Sequence, residues 1–507
     1  MSNGKVYLIG AGPGDPGLIT VRGLELLHDC DVVVYDHLIP DELIITLPGK
    51  TEKIYVGKRA SDHTLPQDEI NSLLVKLARQ GKTVARLKGS DPLIFGRGGE
   101  EARVLRENNI SFEIVPGVTA GIATTAYSGI PCTDRDLASA VVFVTGHKAR
   151  EKDSSSVAWD CIARARNITI IIYMGVAEID NIVSNLIAGG MSARIPSAVI
   201  ERGTFPTQRT YTAPLEEMPE VVRAKNIRPP AIFVVGEVVN LQKYLSWYED
   251  RPLFGKRIMV TRPSDQAREM YKSLRDLGAE VLPYPTITTE SSESEEGWQD
   301  FNKIVGYRKW IIFTSENGVR YFYRQMVSRL GDIRILGGFK IAAVGFGTAR
   351  ALGEISLKPD FIPSRATTES LAEEIIDKYD FQNIPVARVR GNLGDDRVER
   401  ILTEAGAEVL PLQTYRTFYP GWPEGFKEKL IEYPPDIITF TSGSTVEGLC
   451  RLLDPDELDE LLKGKVVVSI GPSTSDVIRS HGIEVTLEAV EHSVPGIIRE
   501  ILQYYNK

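Results

Sequence analysis

No two of the four cysteines, Cys30, Cys132, Cys161 and Cys450, have the Cys-x-x-Cys spacing of a zinc or redox site. They are too few and too scattered for a disulfide frame, and read as reduced, mostly buried thiols of a cytoplasmic protein. The six histidines show no metal-ligand spacing either, so no metal is expected. The start of the chain lacks an apolar run long enough for a signal peptide, and no uncharged stretch is long enough to span a bilayer; no membrane is expected. Excess positive charge is missing too, and a net charge of −9 argues against nucleic acid as the main partner. What remains is ordinary globular composition, 42% hydrophobic and 25% charged. The length suggests about three or four domains.

A phosphate-binding lysine is absent where one would be looked for. VYLIGAGPGDPGLIT, at 6–20, places glycines behind an apolar run, as a dinucleotide loop does. Gly10 and Gly12 fit Gly-x-Gly-x-x-Gly, but the third position is Asp15, whose carboxylate repels phosphate. A P-loop fails as well, because Gly17 is followed by Leu18 and Ile19. The loop serves a ligand without phosphate, or is only a tight strand-to-helix turn.

Strand-like runs alternate with helical patterns throughout (KVYLIG, DVVVYD, KTVARLKG, AVVFVTGH, ITIIIYMG, AIFVVGEVV), the pattern of an α/β fold with mainly parallel sheets. The pattern restarts after a polar segment at 248–252, which reads as a short linker between separately folding units. The second half then repeats itself. LGAEVLPYPTI at 277–287 matches AGAEVLPLQTY at 405–415, a shift of 128 residues. FTSENGV at 313–319 matches FTSGSTV at 440–446, and AAVGFGTARAL at 342–352 echoes VSIGPSTSDVI at 468–478. Two similar α/β lobes facing each other follow, with the site in the cleft at their strand ends. Ser315, Ser364 and Ser442 are candidates for anion contacts there, and equally for plain helix N-caps.

Cations stand just past strands of the first half: Lys58 and Arg59, Arg86, Lys88, Arg97, Arg135, His147 and Lys148. In an acidic chain they suggest a local field for an anionic substrate. A second glycine loop, GSDPLIFGRGGEE at 89–101, again has an aspartate and no lysine after its glycines. Two such loops suggest a neutral or cationic nucleoside beside a polyanion, and S-adenosylmethionine fits the first.

GAGPGDPGLIT, VVVYDHLI, VGKRA, RLKGSDPLIFGRGGEE, VPGVTAGIATTAYSGIPCTDRDLASAVVFVTGH and IYMG resemble the tetrapyrrole methylase family, and within it the uroporphyrinogen-III C-methyltransferases, over about residues 5–245. The resemblance implies two α/β subdomains, about 1–115 and 116–246, with the site in their cleft, and a homodimer. It implies S-adenosylmethionine contacts at Pro13, Gly89, Ser90, Asp91, Ile94, Thr119, Ala120, Met174 and Gly203, a substrate contact at Arg59, Asp36 as proton acceptor and Lys58 as proton donor. The bland alternatives are a helix N-cap for Asp36 and a salt bridge to substrate for Lys58. Two positions depart from the family pattern. Ser90 replaces a glycine, tolerable if its φ is negative, and His37 replaces an arginine.

The second half, 255–507, is similar to the uroporphyrinogen-III synthases through its doubled lobes and FTSENGV, AAVGFGTA, PSRATTESLAEEI, TYRT and IGPSTS. Lobe one is expected over about 255–286 and 416–507, lobe two over about 287–415. The resemblance implies that Tyr415 assists departure of a hydroxyl, with Thr314, Ser315, Arg390, Ser442, Ser444 and Thr474 as carboxylate contacts. Together the halves imply cyclisation of hydroxymethylbilane to uroporphyrinogen III and two methylations to precorrin-2, on the siroheme and cobalamin branch. The alternative is a methyltransferase whose second half only senses tetrapyrrole.

Overall fold

Four five-stranded sheets organise the chain. The computed structural model describes residues 4–57, 65–146, 157–292, 294–305, 309–394, 396–423 and 425–506. Lys58, Arg59, His147 and Lys148 lie outside the described residues.

The first sheet contains β1 (Lys5–Gly10), β2 (Val32–Tyr35), β3 (Glu52–Tyr55), β4 (Val84–Lys88) and β5 (Ser111–Val115), all parallel, in the order β3-β2-β4-β1-β5. Side chains alternate across a strand, so Val6, Leu8, Val32 and Val34 enter one core with the helix Gln67–Arg79. Ile9, Val33, Tyr35 and Leu87 enter another with the helix Val21–Asp29. Coverage on both faces is why the inner strands read as unbroken apolar runs.

The second sheet contains β6 (Ala140–Thr145), β7 (Ile168–Tyr173), β8 (Pro196–Glu201), β9 (Arg209–Pro214) and β10 (Ala231–Val235), in the order β6-β7-β10-β8-β9. Only β6 and β7 pair in parallel here; the other three pairings are antiparallel, so this sheet departs from a pattern that is otherwise mainly parallel, as expected. The turn over 202–208 between β8 and β9 is too short for the crossover helix that a parallel neighbour needs.

The second half supplies β11 (Arg257–Val260), β12 (Glu280–Pro283), β13 (Thr288–Ser291), β14 (Lys309–Phe313), β15 (Phe339–Ala343), β16 (Pro385–Gly391), β17 (Glu408–Phe418), β18 (Ile437–Phe440), β19 (Val466–Ser469) and β20 (Leu487–Glu488). They form two sheets, β12-β11-β18-β19-β20 and β13-β17-β16-β14-β15, parallel except for β13 against β17. The three sequence matches fall on β12 and β17, β14 and β18, and β15 and β19, which hold equivalent places in the two sheets. One lobe is therefore inserted between β12 and β18 of the other. Its last strand runs to Phe418, beyond the boundary expected at 415.

The segment at 248–252 is not a polar tether. Tyr248 is 3% exposed, packs edge-on against Tyr127, Trp247 and Phe254, and donates its hydroxyl to Thr204 O at 3.1 Å. Leu253 is fully buried, and Trp247 donates to Ala126 O at 3.0 Å. The halves also meet at the helix Asp41–Ile45, where Asp41 pairs with Lys429 at 2.5 Å and Glu42 with Arg275 at 3.3 Å. Burial there pushes the Glu42 carboxyl above its usual range. Of the cysteines, Cys30 alone is buried, and burial pushes its thiol up to about 11; Cys161 is exposed.

Candidate active sites

The carboxyl ends of β1, β2 and β4 carry the loops that the sequence singled out. The two glycine loops are joined by reciprocal hydrogen bonds, Ser90 N to Gly12 O at 2.7 Å and Gly12 N to Ser90 O at 3.3 Å. Gly12 has φ +78°, and a Cβ on Gly10 would stand 2.5 Å from Gly117, so both positions need glycine. Asp15 faces away from any phosphate role: its carboxylate accepts from Gly17 N and from the Tyr127 hydroxyl, each at 2.7 Å.

These loops and the ends of β7, β8 and β10 enclose a cavity of about 680 Å³. Pro13, Asp36, Gly89, Ser90, Ile94, Ala120, Met174 and Gly203 line it. Asp91 and Thr119 do not. The Asp91 carboxylate accepts from the Leu93, Ile94 and Gly117 amides, and Thr119 lies beneath, 2.6 Å from the Tyr173 hydroxyl. Ser90 has φ +69°, not the negative value its side chain would prefer. Its hydroxyl accepts from Ala120 N at 2.7 Å, and so caps the helix Ala120–Tyr127, whose own Thr119 makes no cap. Phe95, Arg97, Met174, Arg202 and Thr204 also have positive φ, so the strain gathers around this cavity.

Asp36 is not a helix N-cap: its carboxylate accepts from Leu38 N at 3.1 Å, and the next helix begins at Asp41 after Pro40. Arg86 and Lys88 do not form an open positive field. They point into the floor of the cavity, where Arg86 pairs with Asp36 at 3.4 Å and with Glu101 at 3.3 Å, and Lys88 with Glu101 at 2.9 Å. Burial, and then Arg86, hold the Lys88 ammonium below its ordinary range. Arg97 also lines the cavity and pairs with Glu100 at 2.7 Å. Sequence reading missed Gln67, Tyr173, Phe205 and Pro229 in the lining; Tyr173 stood in the quoted IYMG.

A second cavity, about 920 Å³, opens between the two lobes. Ser315, Ser442, Ser444 and Tyr415 line it. Ser315 caps the helix Glu316–Leu330 through Gly318 N at 2.9 Å, and its hydroxyl lies 3.0 Å from that of Tyr415. Ser442 caps the helix Gly443–Leu452 and bonds Ser444 at 2.9 Å, so capping and cleft exposure coincide. A bulge between Arg390 and Gly391 resets the register of β16 on β17 and places Tyr415 opposite Gly391, where a Cβ would stand 2.6 Å from the ring. Tyr415 stacks on Tyr321, and burial raises its phenol above the usual value.

Thr314, Arg390 and Thr474 do not line this cavity. Arg390 is held by Glu399 and Asp396, Thr474 is buried in the first turn of the helix Pro472–Ser480, and Ser364 bonds Glu374 at 2.6 Å. The missed lining residues include Arg262, Glu316, Phe346 and Arg350. No group of three or more His, Cys, Asp or Glu among the described residues is placed to hold a metal ion. None of their helices is long and apolar enough to cross a membrane.

A family model for tetrapyrrole (corrin/porphyrin) methylases matches residues 5–219, and one for uroporphyrinogen-III synthase HemD matches residues 268–499. The porphyrin biosynthesis protein HemD of Ruminiclostridium josui is 37% identical over 99% of this chain and 98% of its own length. The chain belongs to this fused methylase–synthase family. The uroporphyrinogen-III C-methyltransferase of Bacillus subtilis (strain 168) is 40% identical to the fused chain over 66% of it and 68% of its own length. Among solved structures, the uroporphyrin-III C-methyl transferase of Thermus thermophilus complexed with S-adenyl homocysteine is 39% identical over 47% of this chain and 94% of its own, with a TM-score of 0.40. The first cavity thus lies in the methylase half and the second in the synthase half.

Proposed function

We propose that the synthase half, 255–507, cyclises hydroxymethylbilane to uroporphyrinogen III with inversion of one ring. The methylase half, 1–246, then methylates this product twice from S-adenosylmethionine to give precorrin-2 for the siroheme or cobalamin branch. The observation that carries the reading is the Tyr415–Ser315 hydroxyl pair in the inter-lobe cleft, in a chain that also holds a cavity ringed by phosphate-poor glycine loops.

The residues of the first cavity suit the methyl donor. Ile94, Ala120 and Met174 offer an apolar wall for a nucleoside, and the joined glycine loops bring backbone close without a lysine. S-adenosylmethionine supplies a methyl group on a sulfonium that leaves without further activation. The chain positions the electron-rich pyrrole in line with it, and Asp36, held by Arg86, takes the ring proton. We assign return of a proton to Lys58, which with Arg59 lies outside the described residues. In the synthase cleft the Tyr415 hydroxyl donates to the departing hydroxyl, and the amide of Ser315 and the hydroxyls and amides at Ser442 and Ser444 receive carboxylates. We further propose a homodimer through the methylase half, where Val21, Leu24 and Ile122 stand exposed.

Supplying hydroxymethylbilane alone tests the synthase assignment. Accumulation of the type III isomer above the spontaneous type I is expected. Type I alone would leave the second half as a tetrapyrrole-sensing module.

A further inference from the structure

Glu316 is a carboxylate held between guanidiniums from both lobes. Its Oε2 accepts from Arg262 Nη2 at 3.2 Å, across the cleft from β11. Its Oε1 lies 4.0 Å from Arg350 Nη2 of its own lobe. A Cβ on Gly347 would stand 2.6 Å from that oxygen, so glycine there lets the first turn of the helix Phe346–Glu354 close on the carboxylate. Arg262 is 13% exposed and Glu316 22%, which makes this a largely enclosed pair. Arg262, Gln266, Glu316, Asn317 and Arg350 line both the 920 Å³ cavity that holds Tyr415 and an adjoining one of about 790 Å³. The adjoining cavity adds Arg268, Arg320, Arg324 and Arg499 beside Asp265, Glu269 and Glu354, so arginines still outnumber carboxylates in its lining.

We propose that Glu316 is a stand-in for a substrate carboxylate: the Arg262–Arg350 pair is a carboxylate subsite of the synthase cleft, and a carboxylate of the tetrapyrrole replaces Glu316 on it. This rests on the synthase reading. The exchange swaps one carboxylate for another, so the enclosed Arg262 guanidinium is never left without a partner charge, the costly state for a buried ion pair, while Arg350, 57% exposed, borders the cleft. Released Glu316 stays at the first position of its helix, where the N-terminal dipole favours its charge. Because Arg262 and Glu316 belong to different lobes, the exchange also unties one link across the cleft as substrate enters.

Uroporphyrin I, a stable cyclic octacarboxylate, serves as the binding probe, with KM for hydroxymethylbilane as the second readout. Glu316→Gln removes the competitor and is expected to lower both the uroporphyrin Kd and KM by about threefold to tenfold. Arg262→Gln is expected to raise both by roughly tenfold or more. The double variant is expected to match Arg262→Gln, since freeing a subsite that has lost its guanidinium gives nothing. Unchanged or weaker uroporphyrin binding by Glu316→Gln overturns the proposal, as does a double variant that keeps the gain. If the unaltered chain yields no type III isomer, the synthase reading fails, and the uroporphyrin titration still decides the role of Glu316.

Discussion

The hydroxyls of Tyr415 and Ser315 lie 3.0 Å apart, and the Ser315 oxygen already accepts the amide of Gly318 at 2.9 Å. Ser315 can give its own proton to the Tyr415 oxygen, which leaves the phenolic proton for the cleft. Tyr415→Phe keeps the ring stacked on Tyr321, so stability is expected to fall by no more than about 1 kcal/mol. Formation of the type III isomer is expected to fall by roughly tenfold to a hundredfold, measured as initial rate with hydroxymethylbilane. A variant that closes the ring at the full rate would remove Tyr415 from the chemistry.

The pH dependence follows from burial. Burial raises the Tyr415 phenol and the Ser315 hydrogen bond only partly opposes it, so the neutral, donating form persists to higher pH than for a free tyrosine. The rate of type III formation is therefore expected to show no Tyr415 titration until pH exceeds about 10. Comparing pH–rate profiles of the chain and Tyr415→Phe checks this. An inflection at neutral pH that vanishes in the variant would contradict it.

Ser90 separates backbone strain from capping. Ser90→Gly relieves a left-handed serine worth about 1–2 kcal/mol and loses the cap on Ala120 N, a loss of about 1 kcal/mol. The two nearly cancel, so denaturant unfolding is expected to change little. Ser90→Ala keeps the strain and loses the cap, and is expected to be the less stable variant by about 1 kcal/mol or more. The opposite order would show that the left-handed backbone at 90 carries no strain, and a Ser90→Ala variant as stable as the unaltered chain would show that the hydroxyl contributes nothing at this helix end.

How far the sequence carried is clearest at particular residues. Pro13, Gly89, Ile94, Met174 and Gly203, which the family resemblance pointed to, come together on the lining of one cavity because they sit in loops at strand ends. The doubled lobes were legible because β12 and β17, β14 and β18, and β15 and β19 kept their residues along with their places. The sign of φ at Ser90 was not, since it follows from hydrogen bonds to Gly12, far away in the chain. Arg390 and Arg262 both stand near strand ends; Arg262 lines the cleft cavity, while Arg390, to which the resemblance pointed, does not. The bulge at Arg390 and the pull of Glu399 turn that side chain away, and neither is local information. Tyr248 was misread because charged neighbours hid a side chain that packs against residues about 120 positions earlier.

That packing gives the fourth prediction. Tyr248 anchors the linker among Tyr127, Trp247 and Phe254. Tyr248→Ala is expected to cost about 3 kcal/mol in denaturant unfolding of the methylase half. Cutting the chain at 250 is expected to weaken residues 1–250 in the same direction. A cost below about 1 kcal/mol would restore the reading of a simple tether.

Asp36 lies 3.4 Å from Arg86 in the lining of the methylase cavity. Asp36→Asn keeps the shape and removes the carboxylate proposed as base, so single-turnover methylation of uroporphyrinogen III is expected to slow by roughly a hundredfold or more. Binding of S-adenosylmethionine by calorimetry is expected to stay close to that of the unaltered chain. Unchanged methylation would leave Asp36 as the loop-turn residue that its bond to Leu38 N already makes it.

Whether one chain carries both proposed reactions in sequence is decided by a single incubation. The whole chain is given hydroxymethylbilane and S-adenosylmethionine without any other enzyme, and the tetrapyrrole products are followed by absorbance and mass. The expected product is heavier than uroporphyrinogen by two CH2 units, each methyl replacing a proton, and has the spectrum of precorrin-2. Unmethylated uroporphyrinogen I as the sole product would contradict this expectation.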